Sequence, residues 1–124
     1  MNKRRLGFHK EQIAAEYLAA HGMRIVARNF RGHQGEIDIV GYEGNYLVFV
    51  EVKYRSGKTF GSAAAAVDIR KQQQICKVAD YYRFLHHIPG DAMVRYDVVA
   101  IDGEEIQWIP NAFPHIYANR RAYR

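Results

Sequence analysis

GEIDIVGYEGNYLVFVEVKYR, residues Gly35 to Arg55, reads as a β-hairpin. Glu36 to Val40 alternates polar and apolar residues, and Tyr46 to Tyr54 is a run rich in β-branched and aromatic ones. Gly44-Asn45 between them is a turn signal, and a glycine-first two-residue loop is a common hairpin connection. That loop puts Asp38 opposite Glu51 and Glu36 opposite Lys53. Side chains alternate faces with period two, so these residues share one face, with opposed Cβ atoms roughly 4.5–5.5 Å apart. Leu47 and Phe49 fall on that face as well. The second strand therefore reads as buried on both sides, where embedded charges are costly unless something compensates them.

Two neighbouring carboxylates repel each other unless a proton or a cation lies between them. Mg²⁺ is typically held by one or two carboxylates, with waters and phosphate oxygens filling its octahedron. Lys53 follows Glu51 by two positions, where it can hold or deprotonate an attacking water or neutralise phosphate charge. Metal-assisted phosphodiester hydrolysis needs this set of groups. Asp38, Glu51 and Lys53 are accordingly the candidate catalytic residues, with Glu36 beside them. The bland alternative is a solvated strand face with cross-strand Glu–Lys pairing, since structural ion-pair networks produce similar patterns.

Working outward, the chain has 124 residues, a length that suits one domain, and 48% of them are hydrophobic, enough for a real core. The net charge of +5 and a pI near 9.4 favour polyanionic partners, nucleic acid first among them. Cys76 stands alone, which excludes an intramolecular disulfide and a cysteine-built zinc site and suits a reducing cytoplasm. No apolar run reaches the roughly 18 residues of a membrane span, so a cytoplasmic protein with no membrane partner is expected.

Before the hairpin, His9 to His21 reads as a helix closed by Gly22, with Ile13, Ala14, Tyr17 and Leu18 as its apolar stripe. Glu11 lies at the start of that stripe. It serves the helix dipole, or it faces the hairpin as a third acid, and helix geometry leaves both readings open. Arg24 to Phe30 reads as a strand, with Ile25, Ala27 and Asn29 on one face and Val26, Arg28 and Phe30 on the other. Arg31 to Gly35 is a basic, glycine-rich loop. Arg28 and Arg31 are candidate phosphate contacts or simply solvated charges.

After the hairpin, Ser56-Gly57-Lys58 is a turn, and Asp68 reads as the N-cap of a helix from Ile69 to His87. Its core stripe is Ile75, Val78, Ala79, Tyr82 and Leu85. Arg70, Lys71 and Lys77 make its first turns basic, and Gln72 lies on the stripe side, able to supply one hydrogen bond to the site. Val94 to Ile101 is a strand, Asp102-Gly103 a turn, and Glu105 to Ile109 a short returning strand ended by Pro110. The expected organisation is a single domain over residues 1–113 and a basic tail over 114–124.

Several blocks then follow one another in a recognisable order: G-F-H-K-E at Gly7 to Glu11, A-R-N-F-R at Ala27 to Arg31, G-E-I-D at Gly35 to Asp38, F-V-E-V-K at Phe49 to Lys53, F-G-S at Phe60 to Ser62, A-V-D-I-R-K at Ala66 to Lys71, R-Y-D-V-V at Arg95 to Val99 and N-A-F at Asn111 to Phe113. In these the sequence closely resembles the YraN family of small bacterial proteins, over nearly the whole chain. That family is assigned to the restriction-endonuclease-like fold, the PD-(D/E)xK nuclease superfamily, and it looks like the archaeal Holliday-junction resolvases. The resemblance implies an α/β domain with a mixed central sheet of about five strands flanked by helices. It implies Glu11, Asp38 and Glu51 around Mg²⁺, or Mn²⁺ in its place, with Lys53 at the attacking water and Glu36 as an accessory acid. It departs from the family's pattern at Lys10, where glycine is usual, and at Ala63 and Ala65, where proline and glutamate are usual.

The expected function is a Mg²⁺-dependent endodeoxyribonuclease acting on branched or otherwise structured DNA. Arg28, Arg31, Arg55, Lys58, Arg70 and Lys71 would hold the DNA backbone through sequence-independent contacts. The alternative is a non-catalytic nucleic-acid-binding or protein-interaction module that keeps the fold. Resolvase-like action would call for a two-fold homodimer.

Overall fold

Residues 3–55 and 67–117 are described in the computed structural model of the chain, and among them lie two helices and five strands. In chain order these are α1 (Lys3–Ala20), β1 (Arg24–Gly32), β2 (Gly35–Glu43), β3 (Tyr46–Arg55), α2 (Ile69–Leu85), β4 (Val94–Asp102) and β5 (Glu105–Phe113). The turn at Ser56 to Lys58, the Phe60 to Ser62 block, Ala63 and Ala65 lie outside the described residues, as does the tail beyond residue 117.

The strands form one sheet in the order β1-β2-β3-β4-β5. Three neighbouring pairs are antiparallel, and β3 and β4 run parallel. A parallel pair needs a long crossover, and α2 lies in it. The result is an α/β domain with an open mixed sheet between two helices, the arrangement of a restriction-endonuclease-like fold. No described helix is long and apolar enough to cross a membrane.

The β2–β3 register is the one that a Gly44-Asn45 tip dictates: Val40 pairs with Phe49, and Glu43 with Tyr46. Successive residues of β3 then feed two cores. Leu47 and Phe49 pack with Ile75, Val78, Ala79 and Tyr82 of α2, while Val48, Val50 and Val52 pack with Ala14 and Leu18 of α1. Under α2 the rings stack across strands: Phe49 lies 5.7 Å from Tyr96, and Tyr96 lies 5.3 Å from Phe113. Burying each such ring contributes about 2–3 kcal/mol.

Several element boundaries differ from those expected of the sequence. α1 begins at Lys3, two turns before His9, and its first turn holds no acid. β1 runs on through Gly32, so the expected loop from Arg31 to Gly35 shrinks to a tight turn at His33-Gln34. α2 ends at Leu85, which is 44% exposed and not part of the core stripe. β5 continues past Pro110 to Phe113, because an edge strand tolerates a residue without an N–H.

Strict alternation also fails in β1 and β2, at facing positions. Ala27 and Phe30 both pack toward the α2 core, as do Ile37 and Val40, whereas Ile39 joins the α1 core. Asn29 has φ +50°, a left-handed conformation that turns the strand over. Arg28 and Asn29 consequently both reach α1, where they bond Gln12 and Glu11. The expected division of β1 into two faces therefore fails twice: a register shift between Ile25 and Ala27 puts Ile25 against the α1 core and Ala27 against the α2 core, and Asn29 turns the strand again after Arg28.

Candidate active site

The candidate site lies where β2 and β3 part. Their ladder ends at Ile39 and Val50. One residue further, Asp38 Oδ2 accepts the Val52 N–H at 2.8 Å, so a side chain replaces the next backbone rung. Asp38 and Glu51 remain neighbours, as the hairpin register requires, and are close enough to share a hydrogen bond. Glu36 does not face Lys53. It pairs with Arg31 of β1, whose Nε lies 3.3 Å from Glu36 Oε2.

Glu11 reaches this opening from α1. With the helix beginning at Lys3, Glu11 sits in its third turn, too far in for the dipole to explain it. Its Oε1 accepts a 2.6 Å hydrogen bond from Asn29 Nδ2. Glu11, Glu36 and Asp38 each present a carboxylate oxygen within 4.8 Å of the other two. Glu51 stands outside that trio. Its Oε2 lies 3.5 Å from Lys71 Nζ and 3.8 Å from Lys53 Nζ. α2 thus brings Lys71 to the site from the opposite face of the sheet, and Asp68 fixes that helix start by accepting the Lys71 N–H at 2.8 Å.

Electrostatics follow from this crowding. Burial, reinforced by the Glu51 carboxylate beside it, pushes Asp38 up to about 8, and the Val52 N–H offsets only part of this. Glu11 is likewise raised, chiefly by burial, with the Asn29 bond opposing it and Asp38 and Glu36 adding to it. Asp38 therefore keeps its proton at neutral pH, and a divalent cation would do the same neutralising work. The donors are all carboxylate oxygens, the hard ligands that Mg²⁺ or Mn²⁺ takes. The trio fits such an ion: it holds Glu11 and Asp38 of the expected ligands together with Glu36, and Glu51, the third expected ligand, stands beside Asp38.

The remaining expected residues divide. Arg28 does not face outward. Its guanidinium bonds Gln12 Oε1 beneath α1 and lies 5.7 Å from the Phe8 ring centroid. Its Nε and its second terminal nitrogen are buried without a hydrogen-bond partner among the described residues. Arg31 is 85% exposed at its side chain, and Arg70 is exposed at the start of α2. Gln72 donates to the Val67 carbonyl at 2.8 Å, tying down the chain that enters α2. The Arg55 side chain and Lys58 lie outside the described residues. Sequence reading missed Asn29, whose left-handed φ no pattern announces, and missed that Lys71 turns inward to Glu51. An asparagine is the non-glycine residue best suited to such a φ, and that was the available signal.

Known proteins resemble this chain along most of its length. The family described as "Uncharacterised protein family UPF0102" matches residues 10–101. A UPF0102 protein of Lachnoclostridium phytofermentans is 48% identical over 91% of this chain and 96% of its own length. Others from Methylococcus capsulatus and Shewanella amazonensis are 46% and 47% identical, over 86% and 83% of this chain and 88% and 94% of their own lengths.

Proposed function

The chain belongs to the UPF0102 family, and from that premise we propose that it is a metal-dependent endonuclease that hydrolyses DNA phosphodiester bonds. The observation that carries the reading is the convergence of Glu11, Glu36 and Asp38, from a helix and a strand, on a point beside Glu51, Lys53 and Lys71. A fold needs no such crowding of like charge for its stability, and the raised Asp38 records its cost.

In this reading Glu11, Glu36 and Asp38 hold Mg²⁺ or Mn²⁺, and Glu51 completes the acidic wall. When bound, the ion supplies Lewis-acid polarisation of the phosphoryl oxygens and a lowered water pKa. Lys53 orients the attacking water and offsets charge on the phosphate. Lys71 holds Glu51 in place. Arg28, held beneath α1 by Gln12, lends its positive charge to Glu11 from behind the opening. Arg31 and Arg70 hold the backbone on either side. A fixed set of charges acting on a phosphoryl group works by positioning and electrostatics, which is most of what this chemistry requires.

The test is a cleavage assay on four-way-junction, flapped, single-stranded and plain duplex DNA, with Mg²⁺, Mn²⁺ or EDTA. Metal-dependent cutting by the wild type, lost in Asp38→Ala, is expected. Cutting that survives in Asp38→Ala at the wild-type rate overturns the assignment. Salt-sensitive binding with no product on any substrate would instead favour a nucleic-acid-binding module that keeps the fold.

A further inference from the structure

One face of α2 leads away from the acidic opening. Arg70, Gln74, Lys77, Tyr81 and Phe84 recur at steps of four, three, four and three, so they share a narrow stripe of the helix. The stripe lies opposite the buried residues Ile75, Ala79 and Tyr82. It begins beside Lys71, the residue that reaches Glu51. At about 1.5 Å per residue it extends roughly 21 Å, the reach of a few nucleotides.

The stripe also forms one wall of a groove whose other wall is the β1–β2 turn. A groove of about 330 Å³ is lined by Gln34, Arg70, Gln73, Gln74 and Lys77. It continues, through shared Gln34 and Lys77, into a depression of about 170 Å³ that ends at Tyr81. Gly32 lines that depression beside Val78 and Tyr81. The chemistry changes along the groove. Its near end is basic and rich in amides, without a carboxylate on the stripe. Its far end is closed by an aromatic ring, Tyr81, which is 43% exposed and lies 5.9 Å from the Phe30 ring, and just beyond the groove on the same stripe Phe84 is 76% exposed. Asp80, the acid of this stretch, lies off the stripe, with its Oδ1 3.5 Å from His115.

We propose that this groove holds an unpaired nucleic-acid strand leaving the cleavage point, with phosphates along Arg70 and Lys77 and bases stacked on Tyr81 and Phe84. A duplex offers the groove phosphates but keeps its bases stacked within itself, so exposed rings at the end of a basic track select single-stranded flanks. The inference rests on the nuclease reading for the direction of the track. It makes the substrate a DNA with a single-stranded tail beside the scissile bond.

The experiment measures binding, by fluorescence anisotropy in EDTA, to a duplex, to the same duplex with a short single-stranded tail, and to one whose tail is abasic. The wild type should gain at least about fivefold from the tail, as expected of even one stacked base. The gain should vanish with the abasic tail, which carries the same phosphates. Phe84→Ala should lose most of the gain, and Tyr81→Ala with Phe84→Ala all of it. Because Tyr81 touches Phe30, melting curves of each variant accompany the binding data, and the exposed Phe84→Ala carries the test if the double variant unfolds. A tail that adds nothing, an abasic tail that binds as well as the native one, or Phe84→Ala with an undiminished gain overturns the proposal. Binding in EDTA reads the groove even if the acids prove not to cut, so the two readings fail separately.

Discussion

Asp38 is stabilised and destabilised by the same surroundings. The Val52 N–H favours its charge, while burial and Glu51 oppose it more strongly and hold it at about 8. In the unfolded chain an aspartate titrates near 3.9. Between about pH 4 and pH 8 the folded protein therefore keeps a proton that the unfolded chain has released. Stability from this group is complete below pH 4 and is lost as pH rises through 8. Asp38→Asn removes the titration, and its amide oxygen can still accept the Val52 N–H. In EDTA the variant should melt several degrees above the wild type at pH 8.5, at about 4 °C per kcal/mol, and the gap should close toward pH 5. Circular dichroism melts across that range check it, and parallel pH profiles for the two proteins would refute it. The same change should end cleavage, because a neutral amide is a poor ligand for a hard cation. Stability gained with activity lost would mark the carboxylate as kept for chemistry.

At the scale of elements, the site depends on a turned-over strand. Asn29 in its left-handed conformation lets Arg28 and Asn29 both reach α1, and the matching break in β2 points Glu36 and Asp38 toward Glu11. Asn29→Gly keeps the φ and loses the bond to Glu11, whereas Asn29→Val puts a β-branched residue where it is strained. Urea unfolding should show a loss of about 1–3 kcal/mol for Asn29→Val and less than that for Asn29→Gly. Both should weaken metal binding, since both release Glu11. Equal stability for the two variants would mean that the φ carries no strain. This strand also marks the boundary of what the sequence disclosed. A two-residue turn and period-two alternation were sufficient for the β2–β3 register and for the Asp38–Glu51 pairing. Asp68 was legible as a cap because its chemistry is local. Glu36 opposite Lys53 failed because Asp38 gives its side chain to Val52 and the strands part. Glu11 is ambiguous in the sequence because no local signal marks the helix start at Lys3, and only the family resemblance favours a site role over the dipole. The sequence marks Lys71 only as a basic residue for the DNA backbone, because its partner Glu51 lies on another element.

Across the whole molecule, the two helices deliver opposite charges to one gap from opposite faces of the sheet: Glu11 from α1 and Lys71 from α2. The far side of the sheet is pinned independently. Asp97, fully buried, accepts from Arg95 through both oxygens, from Trp108 Nε1 and from the Asn111 N–H, which locks β4 to β5. The acids converge only in the folded chain, so a cation that binds them as proposed would stabilise the native state alone. An ion that binds the native state alone stabilises it by about 2.7 kcal/mol at a hundred times its dissociation constant. That amounts to roughly 10 °C here, at about 4 °C per kcal/mol. The ion must also displace the proton on Asp38, so its effect should grow as pH rises from 6 to 8. Millimolar Mg²⁺ or Mn²⁺ is therefore expected to raise the melting temperature of the wild type, more at pH 8 than at pH 6, and EDTA to reverse it. Sodium at matched ionic strength should not reproduce the rise. Asp38→Asn, more stable than the wild type without metal, should gain little from it, so that the order of the two melting temperatures narrows or inverts as metal is added. If neither ion shifts the wild type at either pH, the acids do not form a cation site, and the raised Asp38 is then satisfied by its proton alone.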